Sequence, residues 1–145
     1  VSSWYFLFEL NETGNIIQED SFVKKGIVTK VIDGDTIIIR GESVRLLGID
    51  TDEKGKPCYK EAKERMESLV LNKEVTVEKD VEDKDQYKRY LRYVIIDNKN
   101  INIMMVKEGL AVARFFENKK YKQEILNAEE IAIQEKIGCK WKNSL

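Results

Sequence analysis

The chain of 145 residues carries 25 lysines and arginines against 26 carboxylates, a formal net charge of -1, with 42% apolar and 35% charged residues. That suits one compact domain with a single core, and it excludes both a disordered chain and a strongly basic protein that coats nucleic acid by its overall field. With no histidine and only two cysteines, Cys58 and Cys139, histidine triads, histidine zinc sites and four-cysteine zinc sites are also excluded, which leaves carboxylate, lysine, tyrosine, serine or arginine chemistry assisted by a hard cation.

The stretch Trp4 to Leu10, a turn-like Asn11 to Asn15, then Ile16 and Ile17 read as a short hairpin ahead of the main domain. Residues 1–22 are therefore expected to form an N-terminal extension, and 23–145 the domain proper. From Lys25 the pattern turns strand-like. Gly26 to Ile32 is followed by the turn Asp33-Gly34-Asp35, then Thr36 to Arg40, a second turn at Gly41-Glu42, and Val44 to Ile49.

After a polar loop, Tyr59 to Leu71 places Ala62, Met66, Leu69 and Val70 on one helical face, with Glu61 and Arg65 spaced as a supporting pair on another. Strands at Glu74 to Lys79 and Tyr90 to Ile96 flank a charged loop from Asp80 to Lys88. Asn102 is placed to cap a short helix through Val106, ended by Gly109. A longer helix from Tyr121 to Ile137 would turn Ile125, Ala128, Ala132 and Ile133 inward. Five strands with a helix between the third and fourth match an OB-fold: an α+β domain built on a five-stranded barrel with three helices.

Three clusters carry the chemistry: Asp33-Gly34-Asp35-Thr36, Arg45 through Glu53, and Asp85-Gln86-Tyr87-Lys88-Arg89. Asp35 and Asp50 stand at strand ends that antiparallel pairing can bring together around one hard cation, although Asp33-Gly34 is also a good hairpin turn in its own right. Arg45 lies inside an apolar strand, where a guanidinium needs either a structural carboxylate partner or a phosphate. Arg89, read alone, is an ordinary surface arginine.

In their order along the chain these clusters resemble the staphylococcal nuclease family, a likeness running from about Lys25 to Trp141 and including Ala128-Glu129-Glu130, Gly138 and Trp141. The resemblance implies a calcium-dependent endonuclease that cuts DNA or RNA with little sequence specificity and leaves 3′-phosphate ends. By position it assigns Ca2+ to Asp35, Asp50 and the carbonyl of Thr51, makes Glu53 the base toward water, and puts Arg45 and Arg89 on the scissile phosphate. Tyr87, Lys88 and Phe115 become substrate contacts.

The chain departs from the family pattern at Asp52, where proline is usual, which would loosen the loop and add a carboxylate near the metal. Gln86 replaces a lysine, Lys88 and Tyr90 replace glycines, and Phe115 stands for a tyrosine. The competing readings are a non-catalytic OB-fold module that binds nucleic acid or protein, and a structural calcium site. Cys58 and Cys139 are read either as a disulfide or as two reduced thiols. The expected partner is DNA or RNA, single-stranded in preference. A monomer with no membrane span, secreted or in the cell envelope rather than cytoplasmic, completes the expectation.

Overall fold

A computed structural model describes residue 10, residues 12–14, 22–117 and 120–145. The hairpin expected at residues 4–17 falls almost wholly outside the described residues.

Five strands close a barrel: β1 (Lys25–Asp33), β2 (Thr36–Ile39), β3 (Glu42–Leu46), β5 (Glu74–Glu78) and β6 (Tyr90–Ile96), with the two-residue strand β4 (Ile49–Asp50) lying off it between β3 and β5. β1 pairs antiparallel with β2, β2 with β3, and β5 with both β1 and β6. A parallel β3–β6 seam closes the ring. β1 serves two neighbours because its register shifts between Val28 and Lys30 and again between Val31 and Asp33; such bulges bend a strand around a barrel corner. Val28, Val31, Ile37, Ile39, Val44, Leu46, Val75 and Val77 fill the interior. Their burial contributes most of the stability, at roughly 1.5 to 3 kcal/mol per large apolar side chain.

Helix α1 (Tyr59–Val70) packs Ala62, Met66 and Val70, one turn apart, against the barrel. Leu69 is only partly buried. The expected Glu61–Arg65 pair does not form: Arg65 reaches the next helix and grips Glu108 through two nitrogens at 2.7 and 3.0 Å, while Glu61 lies 3.7 Å from Lys142. The bidentate pairing with Glu108 is the stronger geometry for a guanidinium.

After the short strand β7 (Lys99–Asn100) comes α2 (Ile101–Lys107), which is capped by Asn100 rather than Asn102. The Asn100 side chain accepts from the Ile103 backbone, whereas Asn102 is fully buried and bonds Val94, Leu47 and Arg92 main-chain groups. Then follow β8 (Val112–Ala113), α3 (Lys122–Gln134), which ends three residues short of the expected Ile137, and a fourth helix, α4 (Gly138–Trp141), beyond the three that were expected. In α3, Ile125 and Ala132 are buried and Ala128 partly so, but Ile133 is 41% exposed.

The break between α3 and α4 has a steric cause. Gly109 and Gly138 both have positive φ, and a Cβ on either would fall within about 2 Å of the other segment's backbone. The two glycines let these segments touch, so Lys140 N–H donates to the Gly109 carbonyl and α4 doubles back. That return joins Cys139 to Cys58 in a disulfide, with Cα atoms 5.7 Å apart and the two positions 81 apart in sequence. On the chain-entropy account such a link stabilises by about 4 to 5 kcal/mol.

Candidate active site

The third strand was expected to run through Ile49. It stops at Leu46; Leu47 and Gly48 turn, and Ile49–Asp50 pairs instead with Val112–Ala113. This short ribbon lifts Asp50 off the barrel and holds it beside the loop that bears Asp35. Gly34 in that loop has no positive φ; it is glycine for space, since a Cβ would lie 2.8 Å from the Ala62 Cβ and from a Thr51 methyl.

Arg45 ties the two carboxylates together. Its Nη2 lies 3.1 Å from Asp35 and 3.3 Å from Asp50, while Nη1 donates to the Leu46 and Ile49 carbonyls. Asp35 also accepts from the Thr51 backbone N–H at 2.9 Å and the Thr36 hydroxyl at 3.1 Å. Burial pushes the Asp35 carboxyl up to about 6, against the opposing pull of Arg45.

Among the described residues no three carboxylates, cysteines or histidines cluster as a metal cage. What the chain offers is two carboxylates and the Thr51 carbonyl, all oxygen donors. The buried Thr51 hydroxyl in the same loop has no hydrogen-bond partner. Such a set fits a hard divalent ion and leaves several of its roughly six to eight positions for water and phosphate.

These groups line a cleft of about 540 Å³ shared with Glu53, Tyr87, Arg89, Arg114 and Phe116. The exposed Glu53 carboxylate forms no hydrogen bond or ion pair among the described residues. Arg89 is aimed by Asp85, which takes its Nε at 2.7 Å and also caps the turn by accepting from the backbone N–H groups of Tyr87 and Arg89. The Arg89 Nη atoms make no hydrogen bond or ion pair among the described residues. Its Cζ lies 5.3 Å from the centre of the Tyr87 ring, which is 70% exposed.

Two expected substrate contacts sit elsewhere. Lys88 is not among the cleft-lining residues; it occupies the glycine-like position of the turn, with φ 62°. Phe115 packs against the core with Lys122 over its ring, and it is Phe116, 74% exposed, that lines the cleft. The two rings are adjacent in the loop after β8, so a one-position difference separates the ring on the core from the ring on the cleft.

Asp52 does not point to the metal position either. It accepts from the Cys58 N–H at 2.9 Å and pairs with Lys140 at 2.8 Å. Burial works to raise its carboxyl, but the Lys140 and Cys58 bonds prevail and hold it below the usual range. The residue thus anchors the loop to α1 and α4 rather than loosening it.

Asp85, Arg114 and Phe116 are site residues that the sequence did not single out by role. Asp85 stands four before Arg89 and could have been read as its partner. Arg114 and Phe116 had no such signal.

The sequence profile described as "Staphylococcal nuclease homologue" matches residues 43–143. The chain is similar to the thermonuclease of Staphylococcus intermedius, 39% identical over 123 residues that span 77% of this chain and 73% of that one. It is 37% identical over 127 residues to the thermonuclease of Staphylococcus hyicus, covering 80% and 75%. It is also 36% identical over 128 residues to Endonuclease YncB of Bacillus subtilis strain 168, covering 79% and 60%.

Proposed function

The chain belongs to the staphylococcal nuclease family, and we propose that it is a calcium-dependent endonuclease that hydrolyses the backbone of DNA or RNA, leaving 3′-phosphate ends. The nuclease activity rests on the family. What supports its retention here is one arrangement: Arg45 bridging Asp35 and Asp50 in the cleft that also holds Glu53, unpaired among the described residues, and an Arg89 fixed by Asp85.

Asp35, Asp50 and the Thr51 carbonyl would hold the divalent ion, which when bound would supply charge neutralisation and polarisation at the scissile phosphate. Glu53, without a side-chain partner among the described residues, accepts the proton of the attacking water. Arg45 and Arg89 bind the phosphate oxygens and stabilise the charge that grows on them, preorganised by the main-chain carbonyls and by Asp85. The 5′ oxygen departs, and the 3′ phosphate stays on the upstream fragment. Tyr87 and Phe116 give exposed ring faces on which unpaired bases stack, which supports a preference for single strands. Contacts to backbone and ring faces predict little base specificity.

The disulfide supports a location outside the reducing cytoplasm. Protein isolated from its source and unfolded without reductant should then show no titratable thiol. A monomer is proposed as the working unit, and sedimentation at micromolar concentration would reveal a dimer if that is wrong. No helix among the described residues is long and apolar enough to cross a membrane.

The decisive test incubates wild type and Glu53→Gln with single-stranded DNA and RNA, with calcium and with chelator. Calcium-dependent cleavage lost in the variant is expected. Binding without cleavage in every tube would overturn the enzyme in favour of a binding module.

A further inference from the structure

A third guanidinium stands in the cleft that the phosphate-binding pair does not account for. Arg114 follows β8, and its backbone N–H donates to the Gly48 carbonyl at 2.9 Å, which fixes it beside the Asp50 ribbon. Its Nη1 lies 3.3 Å from Asp50 Oδ2, while Arg45 holds the other oxygen of the same carboxylate. The contact is long and half-exposed, and the guanidinium carbon lies 5.2 Å from the centre of the Phe116 ring, also on the cleft wall. Arg114 therefore has a weak grip on Asp50 and at the same time lies beside an exposed ring.

Resting on the cation reading above, we propose that Arg114 is a counter-charge that changes partner. Without the ion it neutralises Asp50; with Asp50 committed to the ion, its guanidinium turns along Phe116 to the substrate backbone. The surroundings make this useful. Seven carboxylates line the cleft, Asp33, Asp35, Asp50, Glu53, Glu82, Asp85 and Glu117, against the four cations Arg45, Lys84, Arg89 and Arg114. An arginine on Asp50 lowers that repulsion in the empty cleft, and the same arginine competes for Asp50 when an ion is to be bound. Substrate phosphate that draws Arg114 away frees Asp50, so ion and nucleic acid strengthen each other's binding by the same factor.

The role predicts effects of opposite sign. Calcium affinity of the full chain is measured calorimetrically without nucleic acid. Affinity for a single-stranded oligonucleotide is measured in saturating calcium in the Glu53→Gln background, where the strand stays intact. Arg114→Gln should bind calcium about three- to tenfold more tightly, because one positive charge near a divalent ion is gone. It should bind the oligonucleotide several-fold more weakly. Arg114→Lys should restore much of both values. Arg89→Gln, whose partner is Asp85, should weaken the oligonucleotide with a smaller gain in calcium affinity. Calcium affinity of Arg114→Gln within twofold of wild type, or a loss of both affinities, would overturn the role. If wild type binds no calcium that Asp35→Asn removes, the cation reading fails, and this proposal with it.

Discussion

Replacing Gly34 with alanine tests how the carboxylate loop is assembled. The new Cβ would meet the Ala62 Cβ and the Thr51 methyl at 2.8 Å and the Thr51 hydroxyl at 2.9 Å. Both neighbours are buried, and Ala62 lies in a helix, so neither yields by a flexible side chain. Overpacking of this kind costs about 2 to 3 kcal/mol, which in a domain of this size lowers Tm by roughly 5 to 10 °C. The displacement falls on Thr51, whose carbonyl is a proposed ligand and whose N–H holds Asp35. A loss of ~1.4 kcal/mol of binding there weakens calcium tenfold. Urea denaturation in chelator and calorimetric titration with calcium measure the two effects. Trimming the obstacle should recover stability, so Gly34→Ala with Ala62→Gly should cost at least about 1 kcal/mol less than the sum of the single changes. A neutral Gly34→Ala, or strictly additive costs, would refute the steric reasoning.

Asp85→Asn should lower kcat/KM about tenfold or more by releasing Arg89, with calcium affinity changed far less; unaltered kinetics would show that Arg89 needs no guide. Asp52→Ala should destabilise by about 1.5 to 3 kcal/mol, since it frees the Cys58 N–H and leaves Lys140 unpaired, and urea midpoints read this directly. The Asp35 carboxyl near 6 sits above its ordinary 3.8, so without calcium the native state keeps a proton that the unfolded chain loses. Stability from this group is full below pH ~4 and falls, by at most about 3 kcal/mol, as pH rises to ~6. The wild type minus Asp35→Asn difference, measured in chelator from pH 4 to 7, should trace that fall; a flat or rising difference would contradict it. Cys58→Ser with Cys139→Ser should lower stability by about 4 to 5 kcal/mol if the bridge acts by restricting the unfolded chain.

Sequence alone determined the five barrel strands and their order, because alternating apolar residues such as Ile37, Ile39, Val44 and Leu46 have one way to hide on a pleated surface, though not the short pairings β4, β7 and β8. It also brought out the carboxylates and arginines, since charged groups at fixed spacing form a recognisable pattern whatever surrounds them. It misjudged Asn102, Asp52 and Arg65, for a polar side chain's partner is set by what the fold brings near. Arg92 makes the same point: it is 1% exposed in the middle of β6, bonded to Asp83 and flanked by the Phe22 and Tyr90 rings, and nothing in its neighbours along the chain announces this. The cleft itself is a tertiary product. Asp50 and Arg114 are 64 residues apart and meet only through a two-residue ribbon, and it is Phe116 that lines the cleft while Phe115 packs on the core. Local pattern fixes which residues can be buried or charged. Which of them touch is decided by backbone pairings between distant segments, and those depend on the whole chain closing at once.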